Sequence, residues 1–195
     1  MGGIDGLINA AGIIGHDFPK AHLDMLEARG VPARELTKHF DSVSVCFSKG
    51  LGAPVGSVLC GSRDLMTRAL RIRKMAGGGM RQCGMLAAAG SYALDHQVDR
   101  LADDHALARR LADGLTGIDG LQFEAPQTNI LFVDLVDGAR HRAAELVPYL
   151  ERHGVLASGL YRLRFVTHLD VSAEDTDHAV QILRPAWGYR ADLGG

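Results

Sequence analysis

The 195-residue sequence has few cysteines, few aromatic residues and no long apolar segment. The three cysteines are odd in number and lack the spacing of a metal site, at Cys46, Cys60 and Cys83. We therefore expect reduced thiols in a cytoplasmic protein, because disulfides are typical of oxidising compartments. The nine histidines form no His-x-x-x-His pair and the cysteines no Cys-x-x-Cys pair, so nothing indicates a zinc site.

Charge and hydropathy argue against two classes of partner. The formal net charge is -2, so no basic surface indicates nucleic acid. No apolar run approaches the length of a membrane span, and no basic segment followed by an apolar one indicates a signal peptide. With 47% hydrophobic and 23% charged residues, the composition is typical of one globular domain, or of one domain and part of another.

The stretch from residue 41 to residue 82 is organised around one lysine. The short apolar segment Ser42–Phe47 predicts a buried strand, and a second strand is predicted over Val55–Cys60. Lys49 lies between them among glycines, which weaken strands and therefore indicate a tight turn. Such a lysine is either a solvated surface residue or, when partly buried, a nucleophile that forms a Schiff base. The local pattern leaves both interpretations open.

Three longer segments carry a more specific signal: FSKGLGAPVGSVLCGS, RKMAGGGMRQ and LRFVTHLDVS. They resemble the low-specificity L-threonine aldolase family, and the match runs almost continuously from Gly30 to Glu174. That family consists of fold-type I enzymes that use pyridoxal 5'-phosphate (PLP). The resemblance implies that Lys49 is the catalytic lysine that carries PLP. It also implies cleavage of threonine or allo-threonine to glycine and acetaldehyde by a cytoplasmic homo-oligomer, a dimer or a tetramer.

The same resemblance implies roles for four further residues. Asp24 is expected to face the pyridine nitrogen of PLP, where a carboxylate keeps the ring protonated. Lys74 and Arg81 are expected to reach the PLP phosphate or the substrate, since cations suit a phosphate. Arg164 is expected to bind the substrate α-carboxylate through its planar guanidinium. Without the resemblance, Asp24 fits a helix cap, and the three cations fit solvated surface positions.

Part of the family pattern is missing from this chain. After Asp24 the family continues Gly-Ala-Arg, whereas Met25-Leu26-Glu27 follows here, which indicates an internal deletion before Gly30. The family's phosphate-binding loop and its stacking histidine have no counterpart before His22. We therefore interpret the chain as an N-terminally truncated second half of a threonine aldolase. A non-catalytic protein of the same fold, which folds with a partner, is the alternative function.

A third interpretation comes from the segment Ile4–Ile14. It resembles the Asn-Ala-Gly segment of short-chain dehydrogenases, where a strand ends beside the nicotinamide cofactor. No glycine-rich dinucleotide fingerprint accompanies it, and none of the tyrosines has a lysine four residues later. A strand over Gly6–Ala10 without a catalytic role is the simpler interpretation.

The predicted fold class is α/β. We expect residues 1–117 to form a remnant of the PLP-binding large domain of a fold-type I, aspartate aminotransferase-like enzyme. We expect residues 118–195 to form a small C-terminal α+β domain with a mainly antiparallel sheet covered by helices. In the first part, helices are predicted over Asp64–Met75, from near Met80 to Gln97, and over Val98–Leu115.

The second part is predicted to alternate strands and helices. Its strands are predicted over Leu121–Glu124, Asn129–Leu135, Val155–Ser158 and Arg162–Thr167. One helix is expected over His141–His153 with a kink or break at Pro148, and another from Ala173 to a point before Pro185. Ser172 is the predicted cap of that last helix.

Overall fold

The computed structural model describes residues 7–9, 35 and 37–188. The chain divides into two compact units, Met1–Leu101 and Ala102–Gly195. The predicted boundary, between residues 117 and 118, lies one helix further along the chain. The intervening helix belongs mainly to the second unit because its side chains Leu111 and Leu115 are buried in that unit's core.

The first unit contains a three-stranded sheet in which every pair is antiparallel. Its strands are β1 (Leu7–Asn9), β2 (Ser42–Cys46) and β3 (Ser57–Gly61), in the order β1-β3-β2. Leu7 and Val43 both pair with Cys60, from opposite sides of β3. The predicted strands therefore form, and the second begins two residues later than expected.

Two helices follow β3 in the first unit. Helix α1 (Arg63–Met75) begins one residue before the predicted start at Asp64, and its first turn is capped by the Ser62 hydroxyl, which accepts from the Leu65 N–H. Helix α2 (Gly84–His96) begins four residues after the predicted start at Met80. The helix begins later than predicted because Gln82 adopts a φ of 55°, which is incompatible with a right-handed helix.

The second unit is an antiparallel sheet with helices on one face, as predicted. Its elements are α3 (Leu101–Leu115), β4 (Leu121–Gln122), β5 (Ile130–Leu135), a 3₁₀ helix (Asp137–Arg142), α4 (Ala143–Arg152), β6 (Arg162–Val166) and α5 (Ala173–Gly188). The strand order is β4-β5-β6. Alternate side chains of β5 and β6 are buried with leucines of the three α-helices, which places the core on one side of the sheet.

Two predictions for the second unit were wrong. Residues 155–158 form no strand, where only Ser158 makes a bridge, to Arg164, and α5 does not end before Pro185. Helix α4, for which a kink or a break was predicted, is not broken at Pro148. Both prolines are exposed, whereas neighbouring side chains such as Leu150 and Leu183 are buried. Burial of the apolar helix face therefore outweighs the loss of one backbone hydrogen bond at each proline.

None of the helices in the described part of the chain is long and apolar enough to cross a bilayer.

Ser172 caps α5, as predicted. Its hydroxyl accepts from the Asp175 N–H at 3.1 Å, and its backbone N–H donates to the Asp175 carboxylate at 2.9 Å. This reciprocal pair is a capping box, which satisfies backbone groups that the helix leaves open. The hydrogen bonds from the Ser172 backbone N–H and hydroxyl lower the pKa of the Asp175 carboxyl.

The capping box predicts a pH-dependent effect of Ser172→Ala. At neutral pH the substitution should lower the free energy of unfolding by about 1 kcal/mol. The folded-state pKa of Asp175 is depressed, so its contribution is fully present above the pKa of an unfolded aspartate. It is lost as the pH falls through the folded-state value. Urea unfolding followed by circular dichroism should therefore show a smaller loss at pH 3, below the usual aspartate pKa of about 4.

Ser91→Ala, at an exposed position within α2, is the matched control and should not destabilise the protein. A loss for Ser172→Ala of the same size at both pH values would contradict the coupling to Asp175.

Candidate functional site

Lys49 lies in the loop of residues 47–56, which joins β2 to β3. Three backbone hydrogen bonds fix this loop: Phe47 N–H to Gly56 O at 2.9 Å, Ala53 N–H to Phe47 O at 3.0 Å, and Gly52 N–H to Lys49 O at 2.8 Å. Gly52 and Gly56 have φ values of 68° and 119°, which side-chain-bearing residues rarely adopt. The glycines predicted to form a tight turn do so, and the carbonyl of Lys49 is held within it.

Buried side chains anchor the loop on the rest of the first unit. Phe47, Leu51 and Ala53 are buried and form a cluster with Val58 and Ala93. Lys49 itself is exposed, which fits the solvated alternative for this residue and not the partly buried one. The loop therefore fixes the backbone of Lys49 while its amine remains accessible to a ligand.

The thiols near the loop are free. Cys46 Sγ lies 3.3 Å from the Ser48 hydroxyl oxygen, and burial raises the pKa of the Cys60 thiol. Within the residues that the structure describes, no group of histidine, cysteine and carboxylate side chains could hold a metal ion.

The other predicted cofactor residues of the first unit lie near the turn between α1 and α2. Lys74 is in the last turn of α1, and its side chain folds over the following glycines, since a Cβ on Gly79 would lie 3.3 Å from Lys74 Nζ. Arg81 is exposed in the segment before α2. Asp24 lies outside the described residues.

Arg164 lies in the second unit, on β6. Its backbone N–H donates to Ser158 O at 2.7 Å, and on the other side it pairs with Phe132 of β5. The neighbouring side chains Leu163 and Phe165 are buried, whereas Arg164 is exposed. Buried and exposed side chains therefore alternate along β6, and the side chain of Arg164 lies on the sheet face opposite the core.

Two residues that contact the lysine loop and hold it in place were not predicted from the sequence. Gly90 of α2 packs on the ring of Phe47, and the guanidinium of Arg100 donates to Gly50 O at 3.2 Å. A signal existed for Gly90, because it follows the run of small residues Ala87–Ala89, which permits close packing. No sequence motif points from Arg100 to Gly50, since fifty positions separate them.

Solved structures define the class of fold. A protein from Listeria monocytogenes, solved as a candidate L-allo-threonine aldolase, matches with a TM-score of 0.67 at 20% identity, over 84% of this chain and 49% of that one. A serine palmitoyltransferase solved with a PLP internal aldimine matches with a TM-score of 0.60 at 20% identity, over 79% of this chain and 41% of that one. The predicted fold class is confirmed: the chain has part of the fold of fold-type I PLP enzymes.

Sequence comparison gives the family. The family model of the beta-eliminating lyases matches residues 5–138, and the chain belongs to this family. It is 42% identical over 163 residues to low-specificity L-threonine aldolase 1 of Arabidopsis thaliana, covering 82% of this chain and 46% of the relative. It is 48% identical over 147 residues to the low-specificity L-threonine aldolase of Escherichia coli K12, covering 75% of this chain and 43% of that relative. The resemblance stated from the motifs is confirmed.

The chain spans a little under half the length of these relatives. The family match includes nearly all of the segment Ile4–Ile14, from residue 5 onwards. The Asn-Ala-Gly segment therefore lies inside a lyase match, which argues against the dehydrogenase interpretation. Of this segment, the structure describes only β1.

The contact of Gly90 with Phe47 makes a testable prediction. A Cβ at Gly90 would lie 3.2 Å from Phe47 Cδ2, which forces the buried ring to move. Gly90→Ala should therefore destabilise the protein by about 1 kcal/mol, because the packing cost exceeds the gain in helix propensity. Gly84→Ala, in the same helix with nothing within 4 Å, is the matched control and should be neutral or stabilising. Urea unfolding measures both, and equal stabilisation by the two variants would refute close packing at Gly90.

Proposed function

We propose that this chain supplies the lysine-bearing part of a PLP-dependent aldehyde-lyase that cleaves threonine or allo-threonine to glycine and acetaldehyde. The observation that carries the proposal is the position of Lys49 on a loop whose backbone is fixed at three points, in a chain that belongs to the beta-eliminating lyase family. The names of the two aldolase relatives support the substrate class.

The residue types present fit part of a PLP site, since the family's phosphate-binding loop and stacking histidine have no counterpart before His22. Lys49 offers the amine that would bind the cofactor, and Lys74 and Arg81 offer exposed cations for its phosphate or for the substrate. Asp24 would supply the anion that keeps the pyridine nitrogen protonated. The chemistry supplied by bound PLP is that of an electron sink, which accepts the electron pair of the breaking Cα–Cβ bond.

Arg164 has a separate task in this proposal, which is to bind and orient the substrate. Its guanidinium can donate two parallel hydrogen bonds to an α-carboxylate, and its backbone is held on both sides, by Phe132 and by Ser158. A carboxylate fixed in this way sets the rotation of the amino acid about its Cα. This would hold the Cα–Cβ bond of the substrate in one orientation, as its cleavage requires.

We further propose that the protein is a cytoplasmic homo-oligomer, a dimer or a tetramer. Support comes from large apolar side chains that are more than half exposed on α1, on α2 and between them: Ile72, Met75, Met80 and Met85. Exposed apolar surface of this kind is typical of contact sites.

The same exposed side chains support the second candidate function, a non-catalytic protein of this fold that folds with a partner. The two candidates differ in whether Lys49 binds PLP.

Lys49→Ala tests the proposed function directly. The purified chain should develop a visible absorption band on titration with PLP, and the band should be absent from Lys49→Ala because the amine is removed. Borohydride reduction and peptide mass analysis should place the cofactor on Lys49. Lys38→Ala removes another lysine, one that is paired with Glu35, and should leave the band unchanged. Folded wild-type protein without the band would favour the non-catalytic candidate.

Arg164→Lys tests the carboxylate site. Lysine keeps the charge but loses the two-pronged donor, so we expect glycine to bind the PLP-loaded protein about ten-fold more weakly. The change in cofactor absorbance on glycine addition measures this affinity. Arg162→Lys is the matched control on the same strand, because Arg162 already lies near Asp134 and over the Phe132 ring. Equal glycine affinity in wild type and Arg164→Lys would show that Arg164 does not bind the substrate carboxylate.

A further inference from the structure

The loop that carries Lys49 is held by a residue outside the family motifs. Arg100 follows α2, and its Nη2 donates to Gly50 O at 3.2 Å. Its Nε donates to the side-chain oxygen of Gln97 at 3.1 Å, which fixes the plane of the guanidinium. Arg100 therefore joins the end of α2 to the residue directly after Lys49.

An apolar contact reinforces this hydrogen bond. Leu101 packs on the same glycine, since a Cβ at Gly50 would lie 2.8 Å from Leu101 Cδ2. Leu101 also packs against the cluster that contains Phe47 and Leu51. Two consecutive residues thus hold Gly50, one through its carbonyl and one through van der Waals contact.

We propose that Arg100 is a positioning residue for Lys49, acting through the Gly50 carbonyl; this inference rests on the proposed function. The bond from Gly52 N–H to Lys49 O closes the turn, and the bond from Arg100 fixes the next carbonyl. Together they prevent rotation of the peptides that follow Lys49. A guanidinium suits this role because it stays charged and its fork can hold Gln97 and Gly50 at once.

The experiment uses the full chain and two readouts. The first is amide hydrogen exchange at Gly52, whose N–H closes the turn on Lys49. The second is attachment of PLP to Lys49, trapped by borohydride and quantified by peptide mass analysis. Arg100→Gln should speed exchange at Gly52 and lower the affinity for PLP, each about ten-fold, as expected for loss of a charge-assisted hydrogen bond. Arg100→Lys, which keeps one donor, should give an intermediate effect.

Arg68→Gln, an exposed arginine on α1, is the matched control and should change neither readout. Unchanged exchange at Gly52 in Arg100→Gln would overturn the proposal. So would an equal acceleration at Gly52 and at Leu131, a core residue of the second unit, because that pattern indicates general destabilisation. If wild-type Lys49 takes up no PLP, the proposed function fails, whereas exchange at Gly52 still decides whether Arg100 fixes the loop.

Discussion

The pair of backbone hydrogen bonds made by Phe47 is the constraint on which the first unit depends. Its N–H and C=O both bind within the loop that follows, to Gly56 and Ala53. These bonds reverse the chain, so that β3 returns alongside β2 in register. They also direct the Phe47 ring into the cluster beneath α2. The pairing of β2 with β3, the packing of α2 and the position of Lys49 therefore all depend on the two hydrogen bonds of Phe47.

Arg162 and Arg164 lie next to each other on one face of β6, but their side chains make different contacts. Arg162 lies 3.7 Å from the Asp134 carboxylate, and its guanidinium stacks over the Phe132 ring at 4.8 Å. These contacts give Arg162 a role in covering the sheet. Arg164 keeps its backbone tied on both sides and its side chain exposed. Two arginines on the same face of one strand thus differ in the contacts that their side chains make.

The sequence predicted those features that depend on local chemistry. The strand β2, the helix α1 and the cap at Ser172 each follow from side chains within a few residues of one another. The continuation of the last helix past Pro185 could not be predicted, because it depends on burial against distant elements. The same distinction applies to the candidate site. The motifs indicated Lys49 and Arg164, whereas the hydrogen bond from Arg100 to Gly50 forms only once the chain has folded.

The central position of β3 has a consequence for the growing polypeptide. Its partner β2 precedes it by a short loop, whereas β1 precedes it by about fifty residues, and the entropic cost of closing a loop rises with its length. During synthesis, β1 leaves the ribosome first and completes its sheet only after β3 has followed. For that interval it presents unpaired backbone groups, the kind of edge that attracts other nascent chains. Between the synthesis of β1 and that of β3, this strand is therefore a place where the first unit is prone to associate with other chains.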